Sequence, residues 1–246
     1  MRLLAHIAAT ALRTATATLC AVTALALTAC NPVFAQQQDT APFARLTGPE
    51  VVNKALATTR AAKSVRITMG TKSPDGTPVE AYVATDIRGE CTVTLSMGAA
   101  GTMDLVRTGG TVYTQSDEAM LRAASAGRPH TDTDDAEVKK LTGRWVKVKV
   151  DRADTFTAQA LGYCDRKGFL DRLAENSDTA HKGRATTVGS LPALSLTGRA
   201  GRGTWQAAVA AEGRPHLLKL RFSTGTPLTV EFTEFDKPFT VKRPAA

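Results

Sequence analysis

Two hydrophobic periods take turns along this chain. From Thr47 the apolar positions Val52, Ala55, Leu56 and Ala62 recur at close to 3.6-residue spacing, which predicts an amphipathic helix ending near Ser64. Thr47-Gly48-Pro49-Glu50 ahead of it reads as a capping box with proline in the first turn. The period then drops to two. Val65, Ile67 and Met69 alternate with polar neighbours, as do Val79, Ala81 and Val83, and then Cys91, Val93, Leu95 and Met97. Shorter runs at 103–106 and 111–114 follow. In the middle the helical period returns. Ser116-Asp117-Glu118 caps a segment with Met120, Leu121 and Ala124, and Asp134-Asp135 opens one with Val138 and Leu141. Residues 144–150 read as a strand, and 154–161 and 166–175 as helices. The last third predicts strands at 193–197, 204–210, 217–223 and 226–235, with Leu218, Leu220 and Phe222 sharing a face. Helix, strands, short helices and strands again describe an α+β fold, with a large antiparallel sheet and the helices gathered on one side.

The N-terminus follows different rules. Arg2 and Arg13 are its only permanent charges before Cys30, and residues 14–29 are small or apolar. That stretch is too short for a comfortable bilayer span of about 20 residues and reads as an export signal. Its end, Leu27-Thr28-Ala29-Cys30, resembles the bacterial lipobox. The resemblance implies a diacylglyceryl thioether on Cys30, cleavage before it, and attachment to the outer face of the cell membrane through the acyl anchor. Residues 1–29 are then the lipoprotein signal peptide. Residues 30–47, with their prolines and glutamine run, are a flexible tether. Residues 48–246 form a single domain.

The net charge of +8 falls to about +6 once Arg2 and Arg13 are removed. A mildly basic exported domain suits anionic headgroups or acidic wall polymers, and equally plain solubility. No block of like charge reaches five residues and aromatics are few, so nucleic acid is not expected as a partner. Of the four cysteines, Cys20 leaves with the signal and Cys30 takes the lipid. The remaining pair, Cys91 and Cys164, most simply forms one disulfide in an exported protein; two separate buried thiols are the alternative.

Reactive constellations are not found. His130, His181 and His216 have no partner at metal-binding spacing. The acid pairs Asp117-Glu118 and Asp134-Asp135 sit where helix starts want negative charge. Met69, Met97 and Met103 read as core. No catalytic residue, metal or cofactor is expected, and the chain does not read as an enzyme.

The order of three further pieces carries a resemblance. These are Ala61-Ala62-Lys63-Ser64-Val65-Arg66-Ile67, then Gly143-Arg144-Trp145-Val146-Lys147-Val148, and an ending that runs from Gly213-Arg214-Pro215-His216 through Phe232-Thr233-Glu234-Phe235-Asp236-Lys237-Pro238-Phe239. Behind a lipobox, they resemble actinobacterial lipoproteins of the LppX/LprG type, whose domain is similar to the LolA and LolB carriers. The resemblance implies a curved antiparallel half-barrel with helices over its concave face, and an apolar cavity between the two that holds acyl chains. One strand phase would line it: Ile67, Met69, Val83, Val93, Leu95, Leu196, Leu218, Leu220, Val230 and Phe232. Lys147 or Lys149 would meet an anionic headgroup at the mouth. The expected function is carriage of a lipid or glycolipid ligand. The alternative is a non-catalytic envelope sensor or protein-interaction lipoprotein.

Overall fold

The computed structural model describes residues 43–246 apart from 74, 127–131 and 224–225. The signal segment 1–29, Cys30, His130 and most of the tether lie outside the described residues. Helix α1 (Gly48–Ala61) begins on the capping box: Glu50 accepts from the Thr47 backbone N–H at 2.7 Å, and Thr47 caps Glu50 in return. Strands β1 (Ser64–Lys72), β2 (Pro78–Asp86), β3 (Cys91–Ser96), β4 (Thr102–Thr108) and β5 (Thr111–Ser116) form an antiparallel meander. Helices α2 (Glu118–Ser125) and α3 (Asp132–Leu141) intervene before β6 (Val146–Val148). Helices α4 (Thr155–Tyr163) and α5 (Arg166–Ala174) lead to a second meander: β7 (His181–Val188), β8 (Leu191–Ala200), β9 (Gly203–Ala210), β10 (Leu217–Phe222) and β11 (Leu228–Thr233).

The first strand pairs with the last, so the two meanders fuse into one curved eleven-stranded sheet. Its order is β6-β5-β4-β3-β2-β1-β11-β10-β9-β8-β7. This topology dictates where α4 and α5 go. The chain leaves one edge of the sheet at β6 and re-enters at the opposite edge, β7, so the connection must cross a face. It crosses the apolar concave one. Val51, Val52, Ala55 and Leu56 of α1, Ala160 of α4, and Leu170 and Leu173 of α5 join the inward strand phase in one core. Each fully buried aliphatic side chain there contributes roughly 1.5–3 kcal/mol. Polar ties set the helices against each other. Arg166 donates to the carbonyls of Ala62 and Arg60 at the end of α1, and Arg60 pairs with Asp171 of α5 at 2.7 Å. Cys91 and Cys164 form the disulfide, with Cα atoms 5.9 Å apart, joining β3 to the end of α4.

Four features depart from the sequence pattern. Strand β7 was not expected; His181 to Thr187 are all exposed, so no face carries an apolar signal. Helix α3 starts two residues ahead of Asp134, which puts Asp134-Asp135 inside its first turn. Strand β6 keeps only three of the seven residues at 144–150. The fourth is Leu218. The β9–β10 register skips between Leu217 and Lys219, so Leu218 and Lys219 together face Ala208. Leu217 and Leu220 therefore point into the main core, and Leu218 joins Ala193, Ala208 and Ala210 on the other face. Leu218 does not share a face with Leu220. Beside the bulge, the Leu217 N–H donates to Thr59 Oγ1 of α1 at 2.9 Å.

After β11 the chain crosses the convex face as a strap. Asp236 accepts from the Lys63 N–H at 2.6 Å and from Arg214 at 2.9 Å, while its own N–H donates to the Ser64 carbonyl. Arg66 pairs with Glu234. His216 stacks on Phe235 with ring centroids 4.0 Å apart. Burial, reinforced by Arg214, holds its imidazole below the usual pKa against the pull of Asp236. Farther along, Arg243 donates to the Tyr113 hydroxyl on β5 at 2.7 Å.

Candidate functional site: an apolar groove at the β6 edge

Helix α2 is held by its cap. Asp117 accepts from the N–H groups of Met120 and Thr102, both at 2.7 Å. Gly101 makes this possible, with φ of 102° and no side chain; a Cβ there would lie 2.3 Å from the Asp117 carboxylate. Arg122 bridges Asp135 of α3 and Glu118 of its own helix, and in that order the two acids raise its pKa. The end of α3 is tied to β5, because the Gly143 N–H donates to the Ser116 carbonyl at 2.9 Å. Asp154 caps α4 through the Thr157 N–H at 2.9 Å.

Between these elements and the ends of β4, β5 and β6 lies a groove of about 360 Å³. This is near the lower end of the size range of ligand sites, about 300–1,000 Å³. Its walls are Met103, Met120, Leu121, Ala124, Leu141, Val146, Val148 and Phe156. Arg144, Lys147, Lys149 and Arg152 stand around it with one carboxylate, Asp154. Val146 and Val148 point inward with Thr114 and Val112, whereas Lys147 lies beside Tyr113 on the convex side. Two larger clefts lie elsewhere on the described surface. One, of about 490 Å³, lies among Thr71, Gln159, Tyr163, Asp165 and Arg172; the other, of about 580 Å³, lies beside Thr197, Arg199 and Gln206. Among the described residues, no group of three or more His, Cys, Asp or Glu could hold a metal ion.

The strand residues picked from the sequence sit elsewhere. Ile67, Met69, Val83, Val93, Leu95, Leu196, Leu220, Val230 and Phe232 are each 3 % exposed or less and belong to the packed core. None of them lines the groove. Leu218 lies on the opposite face. The cations named at the mouth, Lys147 and Lys149, do border the groove, joined by Arg144 and Arg152. The apolar walls that sequence reasoning missed come chiefly from the helices. Their apolar periodicity was visible, but a period cannot distinguish a side chain packed on the sheet from one facing a gap beside it.

No protein-family model matches the sequence, and no curated protein matches it. Solved structures do. LprF from Mycobacterium bovis superposes with a TM-score of 0.53 at 12 % identity, covering 81 % of this chain and 97 % of that one. The lipoprotein LppX from Mycobacterium tuberculosis gives 0.50 at 9 % identity, with 79 % and 97 % covered. At such identities the likeness is one of fold. Over about four-fifths of its own length and nearly the whole of theirs, this chain has the curved-sheet α+β fold of the mycobacterial lipoproteins LprF and LppX.

Proposed function

We propose that this protein is an extracytoplasmic lipoprotein, anchored through Cys30, that carries a lipid or glycolipid without catalysing a reaction. The observation that supports this most directly is the groove at the β6 edge, with aliphatic and aromatic walls and cations at its mouth. An acyl chain needs only such walls. Each buried methylene contributes about 0.8 kcal/mol, so six of them contribute about 5 kcal/mol. The remaining chain and the headgroup would lie at the mouth among Arg144, Lys149 and Arg152. The fold shared with LprF and LppX agrees with this reading. A second reading, a protein-interaction lipoprotein, draws on β7, an edge strand exposed from His181 to Thr187 and paired on one side only.

Two experiments separate these readings. Native mass spectrometry of the full chain purified from its own host should show a bound acyl species. Ala124→Phe, which puts a ring into the groove from a half-buried position, should reduce its occupancy tenfold or more with little change in melting temperature. Wild-type protein free of any lipid adduct would overturn the carrier reading and leave the interaction reading. Separately, Cys30→Ser should move the protein from the membrane fraction to the soluble one or leave it unprocessed. A variant that fractionates and migrates like wild type would remove the anchor.

A further inference from the structure

The rim of the groove has a chemistry of its own. Between residues 139 and 152 the chain carries Lys139, Lys140, Arg144, Lys147, Lys149 and Arg152 against one acid, Asp151. All six cations are exposed, and none forms an ion pair with a described residue. What marks the corner is density, six cations to one acid within fourteen residues; described cations elsewhere include paired ones such as Arg60 and Arg122 and ones with no ion pair to a described residue, such as Lys54 and Arg221. Apolar side chains stand among these cations. Val150 is 61 % exposed and Val146 37 %, two of the few large aliphatic side chains left in solvent. Trp145, next to Val146 in the chain, is half-buried. Exposed cations mixed with valine and tryptophan are the composition of a surface that sits at a bilayer interface.

We propose that this corner, comprising β6, the end of α3 and the single helical turn at Val150–Arg152, docks onto an anionic lipid bilayer with the groove mouth at the headgroups. The proposal deepens the carrier reading by naming the surface through which lipid enters and leaves. Charge complementarity selects the occupant. Six clustered cations gather anionic headgroups, and the exposed Val150, with the outer part of Val146 at the groove, gains burial in the acyl boundary that a hydrated protein partner does not require. The anchor alone would not set this orientation. The described chain begins at Phe43, whose carbonyl accepts from Lys182 on β7, the edge opposite β6.

The tryptophans supply the test. The chain has two, Trp145 immediately before β6 and Trp205 fully buried in the core. Full-length lipidated protein is reconstituted into vesicles with brominated acyl chains, of either phosphatidylglycerol or phosphatidylcholine. Docking predicts quenching of Trp145 fluorescence on phosphatidylglycerol, little on phosphatidylcholine, and loss of quenching in 1 M salt, where the screening length is about 3 Å. Lys149→Glu/Arg152→Glu should lower the ratio of docked to undocked protein by at least about 30-fold, roughly fivefold for each cation removed. Lys54→Glu/Arg202→Glu, an equal charge change at exposed sites on α1 and the β8–β9 turn, should leave quenching intact. Absence of quenching on phosphatidylglycerol, equal quenching on both lipids, or equal loss in the two double variants overturns the proposal. Ala124→Phe keeps the two ideas apart. Quenching that persists while bound lipid is lost supports docking independently of carriage; bound lipid without quenching leaves carriage standing and removes docking.

Discussion

Replacing Cys91 and Cys164 together by alanine should lower the unfolding free energy by about 4 kcal/mol. The bond joins residues 73 apart in sequence. In the chain-entropy description, releasing a loop of this size restores freedom to the unfolded chain worth about 4 kcal/mol. For a domain of this length that corresponds to a fall in melting temperature of about 8–16 °C. Calorimetry with and without reductant, beside the double variant, checks it: reduced wild type and variant should fall by similar amounts. A shift below about 3 °C would show that the crosslink does not constrain the unfolded chain in this way. The bond also has a local consequence. It secures the end of α4 to β3, while the start of α4 is held by the Asp154 cap beside the groove. Reduction should therefore speed amide exchange in α4 before it affects β1 to β3.

Gly198→Val should cost about 3–5 kcal/mol, comparable with losing a buried tryptophan. Gly198 pairs directly with Trp205 across β8 and β9. A Cβ on Gly198 would stand 2.3 Å from the indole ring, and Trp205 is fully buried, so the ring cannot swing out without opening the core. Denaturant unfolding of Gly198→Val, Trp205→Leu and the double variant forms a cycle. The double variant should lose clearly less than the sum of the singles, because a smaller partner removes the clash. Additive losses, or a cost below about 1 kcal/mol for Gly198→Val, would mean that the indole is not clamped against this strand.

Much of this architecture was legible before any coordinates. The capping box at Thr47 and Glu50 opens α1, and Asp117 caps α2. Alternation along Cys91, Val93 and Leu95 marks a strand with one buried face, and these residues are 0–1 % exposed. The Cys91–Cys164 pairing followed from export and the removal of the other cysteines. Lys147 and Lys149 border the groove. The strand phase expected to line a cavity is the strongest hydrophobic signal in the chain, and it does not line the groove. In the structure that phase is the packed core, and the groove walls come largely from α2, α3 and α4.

The sequence by itself determined what depends on neighbours within a turn or a strand: which segments coil or extend, where helices start, and which face of each strand avoids water. These are local, since a side chain's burial repeats with the period of its own backbone. Three things waited for the tertiary structure. Strand β7 is an exposed edge, and a strand with no buried face has no period to read. Leu218 is turned outward by one extra residue in β10, an insertion that is defined only against the partner strand β9. The groove exists because α2, α3 and the start of α4 stand beside β4, β5 and β6 instead of closing on them. α2 and α3 stand there because they connect β5 to β6, and the start of α4 because the chain begins its crossing of the concave face from β6.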